Sequence, residues 1–212
     1  MRYPPAHKLA TRRRILDAAS RAFRERGVAE TGVDDVMRRA GLTHGGFYAH
    51  FSDKSELVAE ACAAAFESAV PNLGRISSAS TAATRVRLLI DSYLATRHRD
   101  NRASGCFVVA VGADMVRLQG PARTGYARGF ELHVSRLAQA LRLESDPKTN
   151  RDRVTHLLGS LVGALLVARA MDEPAQSNAF LHAMRRRLRA EYGAETRRAT
   201  PVEPANDFMR AF

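Results

Sequence analysis

Apolar residues recur along this chain at intervals of three and four, the spacing that lines one face of an α-helix. Nowhere do they alternate with polar residues between hairpin dipeptides, as a half-buried strand would require. The chain therefore reads as all-α. In the first periodic segment, residues 8–26, Ile15, Ala19, Ala22 and Phe23 share a face, and Gly27 follows as a natural C′ residue. A second helix opens at Thr31, where Thr31-Gly32-Val33-Asp34 approaches a capping box, and buries Val33, Val36, Met37 and Ala40 before Gly41 breaks it. Leu42 and Thr43 open a short third helix that runs through His50. Ser52 or Asp53 then caps a fourth, bearing Leu57, Val58, Ala61, Cys62, Ala65 and Phe66, which Pro71 ends.

Residues 71–81, rich in Ser and Gly, read as a loop before a fifth helix with Val86, Leu89, Ile90, Tyr93 and Leu94 on its apolar side. Later helices are expected over 104–117, 122–143, 150–171 and 175–192, which brings the count to about nine. The tail 193–212, with Pro201, Pro204 and little periodicity, is expected to be disordered. The domain organisation that follows is a helical unit over 1–52, a connecting helix over 53–70 and a second helical domain over 71–192.

Charge changes this picture only locally. The formal net charge of +11 favours a polyanionic partner, although an arginine-rich solvated surface would give the same total. Residues 1–60 hold 11 Lys/Arg against 8 Asp/Glu, so most of the excess lies later in the chain. Within residues 1–26, however, 8 basic side chains face only 2 acidic ones, and this arm and first helix form the electropositive segment. No apolar run reaches the ~20 residues a bilayer needs, and the basic N-terminus leads into an amphipathic helix rather than a signal sequence. Cys62 and Cys106, 44 positions apart, make neither a CxxC pair nor a disulfide framework. A reducing, cytoplasmic location is expected.

The second helix, a Gly turn and the short third helix make a helix-turn-helix. The segment TGVDDVMRRAGLTHGGFYAHFSDKSEL over residues 31–57, above all Gly46-Phe47-Tyr48-Ala49-His50-Phe51 followed by Lys54 and Leu57, resembles the signature of the TetR family of bacterial regulators. The match covers about residues 8–60; beyond it the chain resembles the family only in helix count and length. The resemblance implies a homodimeric repressor that binds a near-palindromic DNA operator and is released by a small-molecule effector in its C-terminal domain, with no metal and no cofactor. Tyr48, His50 and Lys54 would then hold the phosphate backbone, while His44, Gly45 and Gly46 face the bases. Thr31, at the head of the second helix, is counted with the DNA-binding residues.

Physical reading of the same residues is consistent with those roles. Thr43 can offer a hydroxyl at a helix start, where free amides favour a phosphate. Gly45 and Gly46 cost about 1 kcal/mol each against Ala, a cost offset if the backbone must approach base edges closely. The bland alternatives are a packed tyrosine, a core or capping histidine and a solvated lysine. Phe47 and Phe51 read as core, and Ala49 lacks the polar group many relatives carry there.

In the C-terminal part, Val154, Leu157, Leu158, Leu161, Val162, Leu165 and Leu166 cover more than one face of a helix that also carries Gly159 and Gly163. The resemblance implies that this helix and the last one, with Phe180, Leu181, Met184 and Leu188, form a four-helix dimer interface; an intrachain core helix is the alternative. Tyr93, Cys106, Phe107, Met115, Phe130 and His133 are the candidate ligand-binding residues. Cys106 carries a second possibility, because a thiol at a helix N-terminus near Arg102 can be activated for redox or electrophile sensing. A helical enzyme is the rival of a different class, but the chain has no HExxH, GxSxG, P-loop or GxGxxG pattern. An interaction module without DNA binding is the third reading.

Overall fold

The computed structural model describes residues 5–193, which hold ten α-helices, one 3-10 helix and no strand. Helix α1 (Pro5–Arg26) ends at Gly27, whose φ of +81° takes the chain out of the helix as a side-chain-bearing residue does only at a cost. Helix α2 (Val33–Arg39) stops where Gly41 adopts φ +66°. The 3-10 helix His44–Ala49 follows, and then α3 (Lys54–Glu67), for which Asp53 rather than Ser52 is the cap, accepting the Glu56 amide at 2.8 Å.

The second helix departs from expectation at its start. It begins at Val33 behind Gly32, which offers no side-chain cap. The Thr31 hydroxyl turns inward instead and donates to the Gly27 carbonyl at 2.7 Å, with the residue fully buried. Thr31 thus closes the α1–α2 turn, and its side chain is withdrawn from any DNA-facing surface. The third element is a 3-10 helix because six residues that include two glycines supply too little helix propensity and length for an α-helix.

Two further helices were not expected. Pro71 does not end a helix but stands in the first turn of α4 (Val70–Ser77), where its missing N–H has no intrahelical partner to lose. After α5 (Ala82–Tyr93), a single turn, α6 (Thr96–Asp100), is too short to show periodicity in sequence. The chain continues through α7 (Phe107–Arg117), α8 (Pro121–Leu141), α9 (Pro147–Ala170) and α10 (Pro174–Tyr192). Helix α8 stops two residues early at Arg142, which adopts the left-handed conformation at φ 50°. Apart from Gly193, the tail expected to be disordered lies outside the described residues.

Two apolar cores form. One gathers Ile15, Phe23, Met37, Phe47, Phe51 and Leu57 from the N-terminal helices and is completed by Val111 and Met115 of α7 and Ala122 of α8. The other lies between α5, α8, α9 and α10, around Ile90, Leu137, Leu157, Leu161 and Leu181. Helix α3 joins them. It packs along α8, where a Cβ on Gly125 or Gly129 would stand 3.0 Å from Ala59 or 2.4 Å from Phe66. Helix α9 is long and apolar enough by length and composition to cross a bilayer, but its buried face, Val154 to Ala168, belongs to this second core.

Candidate nucleic-acid interface and ligand cavity

The 3-10 helix is fixed from within by aromatic packing. Phe47 and Phe51 are buried and stack on each other at 5.6 Å between ring centroids, so the element is held from one side, against α2 and the N-terminal core. Arg12 of α1 secures its end: the guanidinium donates to the His50 carbonyl and to Glu60, reaches Glu56 at 3.2 Å and lies 4.2 Å above the Phe51 ring. A cation bonded to two carboxylates and a carbonyl ties α1, α3 and the turn between them into one unit.

The opposite side faces solvent. Thr43, His44 and Gly45 are exposed, and Tyr48 is 67% exposed, an unusual display for so large an aromatic side chain. A Cβ on Gly45 would meet nothing, whereas one on Gly46 would point at Met37 of α2. At 3.6 Å from the Met37 methyl that Cβ would be in ordinary contact, so Gly46 lies over α2 without being required for the approach. His44 Nδ1 is engaged with Asp34, which leaves Nε2 outward, and its ring meets Tyr48 edge-on at 5.9 Å. Lys54 is half-exposed in the first turn of α3. His50 is half-buried, its Nδ1 sealed without a partner, and burial together with Lys8, Arg12 and His7 pushes its pKa down.

The second site is a cavity of about 670 Å³ between α3, α4, α5, α7 and α8. Of the six ligand-binding candidates, Tyr93, Cys106, Phe107 and His133 line it. Met115 does not: two turns further along α7 than Phe107, it is buried in the N-terminal core. Phe130 does not either, its ring being stacked on Tyr126 at 6.3 Å. Sequence reasoning missed Phe66, Leu89 and Leu137 as wall residues, since each also fits a plain core stripe. It also missed Arg24 and His98.

His98 is the joint of this wall. Its Nδ1 donates to the Tyr93 carbonyl at 2.6 Å and its Nε2 accepts the Cys106 amide at 3.0 Å, so the tautomer is set and the ring is neutral, its pKa lowered by burial. Cys106 is half-buried at the N-cap of α7, with its backbone held by His98. Arg24, from the last turn of α1, donates through Nε to the Gly105 carbonyl at 2.9 Å and crosses the Phe107 ring at 5.2 Å. The N-terminal unit thus contributes a side chain to the cavity. Among the described residues no three His, Cys, Asp or Glu side chains gather as a metal site requires.

Comparison with known proteins agrees with this architecture. Residues 15–61 match the model for bacterial regulatory proteins of the TetR family, and residues 82–184 match that for the tetracyclin repressor-like C-terminal domain. The chain is 52% identical over 48 residues to the HTH-type transcriptional regulator TtgR of Pseudomonas putida, a stretch covering 23% of each protein. The similarity to such curated relatives thus spans about a quarter of their length. Among solved structures, reduced NemR of E. coli superposes with a TM-score of 0.70 at 18% identity, over 84% of this chain and 95% of that one. A TetR-family regulator from Cytophaga hutchinsonii gives 0.72 at 15% identity, over 92% of this chain and all of that one. With both of its parts matched by the family's models, this chain belongs to the TetR family of bacterial transcriptional regulators.

Proposed function

We propose that the protein is a homodimeric, operator-binding transcriptional repressor of the cytoplasm, released from DNA when a small-molecule effector occupies the cavity beneath α4 and α5. One observation carries the DNA-binding part: the 3-10 helix and its flanking residues bury Phe47 and Phe51 and present Thr43, His44, Gly45 and Tyr48 outward from an anchored edge. The tyrosine hydroxyl, Lys54 and Thr43 suit phosphates, and His44 Nε2 suits a base edge. The units behind this are a DNA-binding unit over 1–52, the linking helix to residue 70, and an effector and dimerisation domain to residue 192. Dimerisation through α9 and α10 is supported by the exposed stripe Gly159, Gly163, Leu166 and Val167 on the α9 face turned away from the core.

Selection of binding sites from random DNA, followed by affinity measurements on variants, tests the reading. Tyr48→Phe and Lys54→Ala are expected to weaken binding to all sequences alike, whereas His44→Ala changes the preferred bases. Absence of any selected palindromic site with the wild-type chain would refute operator recognition.

A further inference from the structure

The cavity wall carries three guanidinium groups, Arg24, Arg75 and Arg97, and not one carboxylate. Among the described residues none of the three is in an ion pair, although many of the chain's other arginines are, those of α2 included. Arg75 and Arg97 are exposed at the rim. Arg24 lies deeper, and among the described residues its hydrogen-bond and ring partners are neutral: the Ser20 hydroxyl at 2.6 Å, the Ser20 carbonyl at 3.2 Å, the Gly105 carbonyl at 2.9 Å and the Phe107 ring, with the Cys106 sulfur also near enough to act on its charge but no carboxylate paired with it. Its Nη2 makes no hydrogen bond. A guanidinium does not lose its proton in a protein, so a partly buried one without a counter-charge is a standing electrostatic cost.

Two more polar atoms of the wall are unsatisfied. The Tyr93 hydroxyl is buried beside the Cys106 sulfur, a weak partner, and no hydrogen bond closes on it. His133 Nδ1 is likewise buried without a partner. The rest of the lining is apolar, with Phe66, Leu89, Phe107 and Leu137 among it. Buried polar groups are seldom left unpaired, and a cavity of drug-like size walled by the residues that carry them is where a ligand could supply the missing partner.

We propose that this cavity is built for an organic anion: an apolar or aromatic body enclosed by α3, α5 and α8, with a carboxylate-type group held at Arg24 and drawn in past Arg75 and Arg97. The inference rests on the effector-binding reading above and adds the charge class of the effector. It excludes amines, for which the wall offers no carboxylate and three repelling cations. It also gives Arg24 a second task, since the side chain that would hold the anion belongs to the first helix of the DNA-binding unit.

Isothermal titration of the full chain with 2-naphthoate and decanoate, with their primary amides and with the matching amines decides the matter. The carboxylates are expected to bind at least about tenfold more tightly than the amides, and the amines not measurably. Arg24→Gln is expected to erase the preference for carboxylate over amide. Because Arg24 also braces α1, Arg97→Glu serves as an independent variant, its side chain being exposed and in no ion pair among the described residues; it is expected to weaken carboxylate binding selectively. Equal or tighter binding of amides or amines overturns the proposal while leaving an effector cavity in place, as does an unaltered preference in both variants. Failure of every member of the panel to bind overturns it as well. Operator binding by the unliganded protein, measured by fluorescence anisotropy, reports separately on the DNA-binding reading.

Discussion

Burial first, and then the charges of Lys8 and Arg12 beside it, hold the His50 imidazole neutral in the free protein, below the ordinary histidine pKa of about 6.5. A DNA phosphate placed against the same cations reverses their effect and favours the charged ring. The pKa therefore rises on binding, so the complex takes up a proton, and affinity increases as pH falls from above the bound value toward the free one. Operator affinity is expected to be about two- to fivefold tighter near pH 6 than near pH 8 in the wild type. His50→Gln flattens that dependence if His50 is its source. An unchanged slope in the variant would leave His50 as a packing residue whose role ends with the carbonyl it offers Arg12.

Among the elements, glycine pairs four residues apart do two different things. On α8, Gly125 and Gly129 let α3 approach so closely that a Cβ at Gly129 would sit 2.4 Å from the Phe66 ring, itself held against Phe107, Tyr126 and His133. On α9, a Cβ at Gly159 or Gly163 would meet nothing within the protomer. Gly129→Ala is thus expected to lower stability by about 1–2 kcal/mol, the overpacking cost exceeding the ~1 kcal/mol gained in helix propensity. Gly163→Leu, by contrast, leaves the protomer's helical content intact but shifts sedimentation from dimer to monomer. A Gly163→Leu chain that remains dimeric would remove α9 from the interface.

The same elements show what the sequence displays and what it hides. Gly27 and Gly41 were legible as helix ends because both need a positive φ, and Phe47 and Phe51 were legible as core because they sit inside an apolar period. Pro71 was misread since proline stops one helix and starts the next with equal ease. Thr31 was misread because a threonine before a helix can cap it or turn back to a carbonyl behind it. In the cavity, periodicity found the face of α7 but not the depth along it, which separates Phe107 from Met115. Arg24 was invisible because a charged residue near a helix end reads as solvated surface, and only the tertiary fold shows it reaching Gly105, 81 positions away.

At the scale of the whole molecule, α7 is a second junction between the two units beside the α3–α8 packing, held at both ends by the last turn of α1 and the residues just after it. At the first end Arg24 holds the Gly105 carbonyl, and at the second the Asp114 carboxylate accepts the Val28 amide at 2.6 Å against the Gly27 turn. On the proposed effector reading, a ligand that draws Arg24 into the cavity would loosen the first grip. The second then decides whether α7 carries the disturbance to the α1–α2 turn or slips past it. Asp114→Ala leaves the partly buried Val28 amide unpaired, so a loss of about 1–2 kcal/mol in stability is expected. Because Asp114 does not line the cavity, ligand affinity stays unchanged while ligand-driven release from the operator is reduced. Asp114→Asn, which keeps an accepting oxygen, is expected to restore both. Release as complete in Asp114→Ala as in the wild type, at equal ligand occupancy, would show that the signal leaves the cavity by another route, with the α3–α8 packing as the remaining continuous connection between the two cores.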